Sequence, residues 1–127
     1  MTGVQTCALP ISFVKALTSM YIPGGTTEQI DSLVQLQRQS TTPENAARLR
    51  AAVDEFDVSD ILGKISVPTL VIHARNDGVQ PLEEGRKVSA GIPRSQFLML
   101  DSANHVPLPN EPAWDALFRG LRNFVLG

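Results

Sequence analysis

The sequence predicts an α/β fold in which two parallel strands are flanked by helices and preceded by a helical segment. Two short apolar stretches, beginning near Val67 and near Gln96, are typical of buried strands. A stretch with helical periodicity separates them, and further helical patterns lie before the first strand and after the second. The order strand, helix, strand predicts parallel pairing with a right-handed connection.

Three helices are predicted before the first strand. The first covers about residues 12–20, where the apolar side chains fall on one face. Thr26 and Gln29 have the spacing of a capping box, which predicts that a second helix begins there. Thr42 is suited to cap a third helix, with Pro43 at its first position, where a missing N–H is tolerated.

The second half of the chain carries the strands. We predict, in order, a capped turn ending in glycine at residues 59–63, the first strand, a helix over residues 82–90 and the second strand over residues 96–100. Glu111 and Pro112 open a final amphipathic helix. Its apolar stripe, expected to pack in the core against the sheet, includes Trp114, Phe118 and Leu121.

The first strand has no polar alternation, which is typical of a strand buried on both faces in the middle of a parallel sheet. Such a strand needs neighbours on both sides, and this chain offers one. We therefore expect the sequence to be the C-terminal piece of a larger α/β domain. An open strand edge also favours self-association with another copy of the chain.

Residues 1–11 have no charged leader and too short an apolar run for a signal peptide. They resemble the translated read-through of a sequencing-library adapter, and we interpret them as non-native. The evolved sequence then divides into a helical segment, residues 12–58, and a strand-bearing segment, residues 59–127. The single cysteine, Cys7, cannot form an internal disulfide, which fits the reducing cytoplasm.

Composition argues against several classes of function. The formal net charge is −2 and the basic residues are scattered, so no nucleic-acid partner is predicted. No apolar stretch is long enough to span a bilayer. No histidine pair has the helical spacing of a metal site, so neither a metal nor another cofactor is predicted.

Asp77 and His105 are the candidate catalytic residues. Asp77 follows the first strand and His105 lies in the loop after the second, within Ser102-Ala103-Asn104-His105. Loops at the carboxyl ends of adjacent parallel strands converge on one crevice, so the two side chains can meet. A carboxylate that holds one nitrogen of an imidazole leaves the other nitrogen to take and return a proton.

Other interpretations of these residues stay open at this point. Asn76-Asp77-Gly78 is also an ordinary turn sequence. A lone loop histidine is often only a hydrogen-bonded residue. Asp101 adjoins the same loop and is an alternative partner for His105. His73 lies within the first strand and is interpreted as a packed or partner-facing residue.

The order of these elements and the two loops resemble the C-terminal part of the α/β-hydrolase family. The strand ending in Asp77, with Pro81 beyond it, and the His105 loop leading to Glu111-Pro112 carry the resemblance. It implies a partial α/β-hydrolase fold in which Asp77 is the acid and His105 the base of a Ser-His-Asp type triad. The Gly-x-Ser-x-Gly nucleophile elbow of the family is absent from the sequence.

The resemblance also implies an activity and a place for the substrate. Hydrolysis of a carboxylic ester in a small-molecule substrate is the expected reaction, although the missing nucleophile leaves amide, carbon–carbon and haloalkane cleavage open. Residues 12–58 would form a helical cap, with Phe13, Met20 and Tyr21 lining the pocket. We predict that this chain alone is inactive. The alternative is a ligand-sensing hydrolase-like domain of a fused transcriptional regulator or signalling protein.

Overall fold

The computed structural model describes residues 11–127. In chain order the elements are α1 (Ile11–Tyr21), α2 (Thr27–Ser40), α3 (Pro43–Asp54), a 3₁₀ turn (Leu62–Lys64), β1 (Thr69–Ala74), α4 (Leu82–Gly91), β2 (Ser95–Leu100) and α5 (Pro112–Leu126). The predicted fold class is therefore confirmed. The interpretation of residues 1–11 as adapter-derived concerns residues 1–10, which lie outside the described part, and Ile11, which begins α1.

The predicted helix starts are confirmed in atomic detail. Thr26 Oγ1 accepts from the backbone N–H of Gln29, whose side chain accepts in return from the N–H of Thr26. Thr42 Oγ1 caps α3 by accepting from the backbone N–H of Asn45, and Pro43 occupies the first turn. Helix α1 packs on α2, where the buried Thr18 hydroxyl lies between the two helices.

The two strands pair in parallel, as predicted, with Thr69 opposite Ser95 and Ala74 opposite Leu100. Strand β1 begins two residues later than predicted because Pro68 has no N–H, so Thr69 is the first residue that donates across the pair, to Arg94 O. Beyond the strands the pairing continues, since Arg75 N donates to Leu100 O and Asn76 N to Ser102 O. This extension aligns the two loops that leave the carboxyl ends.

The predicted capped turn at residues 59–63 is present as a turn, but its cap differs. Residues 59–61 form a turn that leads into the 3₁₀ turn Leu62–Lys64, which no side chain caps. Asp57 Oδ1 accepts from both the backbone N–H and the hydroxyl of Ser59. Asp57, and not Ser59, is therefore the residue whose side chain accepts a backbone N–H before this turn.

The apolar faces of the sheet and of α5 are only partly buried. The first strand was expected to lack one neighbour, whereas the stripe of α5 was expected to pack in the core. In β1 only Ala74 is buried, and the other five residues are half-buried. Trp114 stacks edge-on against Phe118 with 4.7 Å between ring centroids, yet Phe118 is exposed. Within residues 11–127 the sheet has two strands. A sheet this narrow cannot cover the apolar stripe of α5, and its own faces stay partly open. Among these same residues no helix is long and apolar enough to cross a membrane.

Candidate active site

Asp77 lies in the turn after β1 and is held by the backbone of that turn. Its Oδ1 accepts from the N–H of Val79 at 2.7 Å and from the N–H of Gln80 at 3.1 Å. The side chain is 3 % exposed. Two bonds from backbone N–H groups to one oxygen fix the carboxylate and leave its other oxygen, Oδ2, free to accept a third bond.

His105 provides that third bond. Its Nδ1 lies 2.6 Å from Asp77 Oδ2, although the residues are 28 positions apart in the chain. Because a carboxylate only accepts, Nδ1 carries the proton, and the short distance is typical of a charge-assisted bond. Within the described residues no hydrogen bond engages Nε2, so in the neutral imidazole this nitrogen is free to accept a proton. The structure thus brings together the two residues singled out in the sequence.

The environment of Asp77 keeps its carboxylate ionised. Burial raises the pKa of this carboxyl, but the bonds from His105, Val79 and Gln80 and the charge of His105 outweigh burial. The pKa of Asp77 therefore lies below its ordinary value of 3.8. An ionised carboxylate at neutral pH orients the imidazole and stabilises the imidazolium that forms on protonation.

His73 is packed, as its place in the strand predicted, but it also supports the Asp77 turn. Its side chain is 12 % exposed, and its Nε2 lies 3.0 Å from Gln80 O and 3.7 Å from Asp77 Oδ2. Gly85 on α4 makes room for the ring, since a Cβ at this position would lie 2.5 Å from His73 Nδ1. The spacing of four residues between His73 and Asp77 is the only sequence signal of this contact.

Asp101, the alternative partner, does not contact His105. Its side chain is 85 % exposed and lies 3.7 Å from Arg75. Tyr21, predicted to line the pocket, stands edge-on to the His105 ring at a centroid distance of 5.5 Å but does not border the cavity around His105. Phe13 and Met20, expected beside it, are exposed and do not border the cavity around His105.

A cavity of about 380 Å³ lies against the pair of side chains. It is bordered by His73, Asp77 and His105 and by mostly apolar residues. Val106 connects it to an apolar groove of about 460 Å³ that runs along α2. Within residues 11–127 no group of three metal-ligating side chains forms. The arrangement is suited to proton transfer beside an apolar pocket.

Sequence reasoning missed a second group of polar residues behind the histidine. Ser102, Asn104 and Leu108 all donate to the carboxylate of Glu111, and Asn104 also contacts Gly24. The sequence carries no signal for this group, because the burial of Ser102 and Asn104 is evident only in the structure. A loop has no periodicity from which such a contact follows.

Comparison with known proteins finds no matching family model. Similar sequences include the putative carbamate hydrolase RutD of Pseudomonas syringae, 32% identical over 65% of this chain and 31% of that protein. The pimeloyl-[acyl-carrier protein] methyl ester esterase of Vibrio cholerae is 32% identical over 60% of this chain and 30% of that protein. The 2-hydroxy-6-oxononadienedioate/2-hydroxy-6-oxononatrienedioate hydrolase 1 of Pseudomonas putida is 37% identical over 55% of this chain and 25% of that protein. The chain spans between a quarter and a third of the length of these relatives.

Two solved structures share the fold. The esterase RhEst1 from Rhodococcus sp. ECU1013 superposes with a TM-score of 0.69 at 23% identity, over 97% of this chain and 44% of that chain. A hydrolase from Oleispira antarctica superposes with a TM-score of 0.67 at 21% identity, over 92% of this chain and 42% of that chain. These likenesses show a partial α/β-hydrolase fold, and the similar sequences are named hydrolases and esterases.

Proposed function

We propose that this chain carries the acid and the base of an esterase of the α/β-hydrolase family. The observation that carries the proposal is the 2.6 Å contact between Asp77 Oδ2 and His105 Nδ1 at the mouth of a cavity. His105 Nε2 takes a proton from the nucleophile and then gives it to the leaving alkoxide. Asp77 fixes the tautomer and the orientation of the imidazole.

The nucleophile and the oxyanion donors are, in this proposal, supplied from outside these 127 residues. The sequence contains no Gly-x-Ser-x-Gly elbow, and no hydrogen bond joins His105 Nε2 to another described residue. A base without a nucleophile has nothing to activate, so we expect the chain alone to be inactive. Purified chain should hydrolyse a p-nitrophenyl ester no faster than its His105→Ala variant, and turnover that depends on His105 would contradict this.

An ester of a small molecule is the proposed substrate class. Support comes from the apolar groove beside the site and from relatives named as an ester esterase and a carbamate hydrolase. Helices α1 to α3 are proposed to form the cap, because Tyr21 at the end of α1 reaches the histidine. A cytoplasmic location is proposed, and the lack of cysteine in residues 12–127 fits a reducing compartment. No observation favours a ligand-sensing domain of a regulator.

A chimera tests the triad roles. The matched segment of the Vibrio cholerae esterase is replaced by the corresponding residues of this chain, and hydrolysis of p-nitrophenyl butyrate is measured. We expect turnover that falls by about 10³-fold or more in the His105→Ala chimera. Asp101→Ala is the matched control, because this exposed carboxylate does not contact the histidine. A His105→Ala chimera that keeps the parent rate would refute the assignment.

A further inference from the structure

The histidine loop, residues 101–111 between β2 and α5, folds around one carboxylate. Glu111 Oε1 accepts from Asn104 Nδ2 at 2.9 Å and from the N–H of Leu108 at 2.7 Å. Glu111 Oε2 accepts from Ser102 Oγ at 2.6 Å. These donors lie on both sides of His105 in the chain, so the carboxylate fixes the backbone before and after the imidazole.

Glu111 is charged in this setting. Burial raises the pKa of its carboxyl, but the bonds from Asn104, Ser102 and Leu108 outweigh burial and hold the pKa below its ordinary value of 4.5. Glu111 is also the residue that precedes α5, yet its side chain makes no capping bond to the helix. Its carboxylate is committed to the loop and not to the helix.

Asn104 connects this carboxylate to the other half of the chain. The residue is 4% exposed, and its Oδ1 accepts from the N–H of Gly24 at 2.8 Å. Gly24 lies in the α1–α2 turn, residues 22–26. A donor on one side and a carboxylate on the other allow only one orientation of the amide. A Cβ on Gly24 would lie 3.1 Å from Asn104 Nδ2, so glycine permits this close approach.

The end of α1 also holds His105 directly. The N–H of His105 donates to Tyr21 O at 2.7 Å, three residues before Gly24. The backbone of His105 is thus bound to the end of α1, while Asn104 binds the adjoining turn. The two contacts together fix where the imidazole emerges from its loop.

We propose that Asn104 is a positioning residue for His105, which acts by linking the Glu111 carboxylate to the α1–α2 turn and thereby holds the imidazole against Asp77. The inference rests on the proposed function, in which His105 is the base. Asn104 acts through the loop, since its amide bonds to Gly24 and Glu111 and not to His105. The helical segment therefore takes part in aligning the base and does more than border the pocket.

The test is nuclear magnetic resonance of the full chain labelled with ¹⁵N-histidine, in which only His73 and His105 give ring signals. In the parent chain we expect His105 to show one tautomer with a proton on Nδ1. In Asn104→Ala, the ring nitrogen shifts should move toward a mixture of tautomers. The Nδ1 proton should exchange with water about tenfold faster or more. His73 should be unchanged, as should both histidines in the control Asn123→Ala.

Unchanged His105 signals in Asn104→Ala would overturn the proposal, and so would an equal change in Asn123→Ala. If Asn104→Ala also loses the His73 signals, the chain has unfolded and Ser102→Ala becomes the deciding variant. It removes one donor to Glu111, so we expect about threefold faster exchange of the His105 proton with His73 unchanged. If the His105 proton in Ser102→Ala exchanges at the parent rate, the proposal is overturned. Because this readout needs no nucleophile, its failure is distinct from failure of the chimera to hydrolyse esters.

Discussion

Replacement of Asp77 by asparagine tests how the carboxylate sets the histidine tautomer. The side chain keeps its shape but exchanges one acceptor oxygen for an NH₂ group. Two orientations of the amide are possible. In one, the carbonyl oxygen accepts from Val79 and Gln80, and the NH₂ group faces His105. In the other, the carbonyl accepts from His105 Nδ1, and the NH₂ group faces two backbone N–H donors.

The count of hydrogen bonds decides between these orientations. The first keeps both backbone bonds and regains the third if His105 moves its proton from Nδ1 to Nε2. The second keeps one bond and leaves the N–H groups of Val79 and Gln80 without their acceptor. Each bond contributes about 0.5–1.5 kcal/mol, so the first orientation is favoured by about 1–3 kcal/mol. His105 should therefore present a protonated Nε2, which cannot accept a proton from a nucleophile.

Long-range ¹H–¹⁵N correlation spectra of the labelled chain at pH 8 distinguish the two tautomers. We expect the proton on Nδ1 in the parent chain and on Nε2 in Asp77→Asn. In the chimera, the same substitution should lower kcat by about 10⁴-fold. Asn76→Asp, at an exposed neighbouring position, is the control that should leave the tautomer unchanged. A His105 ring that keeps its Nδ1 proton in Asp77→Asn would refute the reasoning.

Three further predictions follow from the same contacts. The pKa values of Asp77 and Glu111 are lower in the folded chain, so unfolded chains bind more protons in acid. The free energy of unfolding should then be constant above the ordinary pKa values of 3.8 and 4.5 and fall as the pH drops below them. Urea unfolding from pH 7 to pH 2.5 measures this decrease. In Glu111→Gln the decrease that begins near pH 4.5 should be smaller. A free energy of unfolding that rises as the pH falls would contradict the lowered pKa values of Asp77 and Glu111. Gly85→Ala should displace the His73 ring and lower the free energy of unfolding by about 1–3 kcal/mol. The control Gly63→Ala has nothing within 4 Å of its new Cβ and should not be destabilised. Equal urea unfolding midpoints for the two variants would show that the His73 ring adapts. The open strand edges should cause self-association, so sedimentation equilibrium should give a mass that rises with concentration above 13.8 kDa, and a constant monomer mass would rule this out.

The sequence allowed prediction of those features that arise from local patterns. Helix caps at Thr26 and Thr42 depend on neighbouring residues, and parallel pairing follows from one helix between two apolar strands. The approach of Asp77 to His105 followed from their places at strand ends. The bond between Asn104 and Gly24 spans 80 positions and joins two irregular segments, so no periodicity or chain order indicates it.

Burial could be predicted only in part, for a physical reason. An apolar stripe such as that of α5 shows which face a helix would bury but not whether a sheet wide enough to cover it is present. Sixteen large apolar side chains are exposed and six apolar residues are buried among the described residues. The amphipathic pattern of Trp114, Phe118 and Leu121 was correct, and the inferred covering surface was not found within residues 11–127.

The candidate site is nonetheless well formed beside this thin core because its contacts are hydrogen bonds made close to the strand ends. Asp77 is fixed by two N–H groups of its own turn, and the two loops are aligned by the continued pairing of Arg75 with Leu100 and Asn76 with Ser102. Such bonds depend on backbone register and need no wide sheet. The acid and the base can therefore meet on two strands alone, while the apolar faces of the sheet and of α5 still lack cover among the described residues.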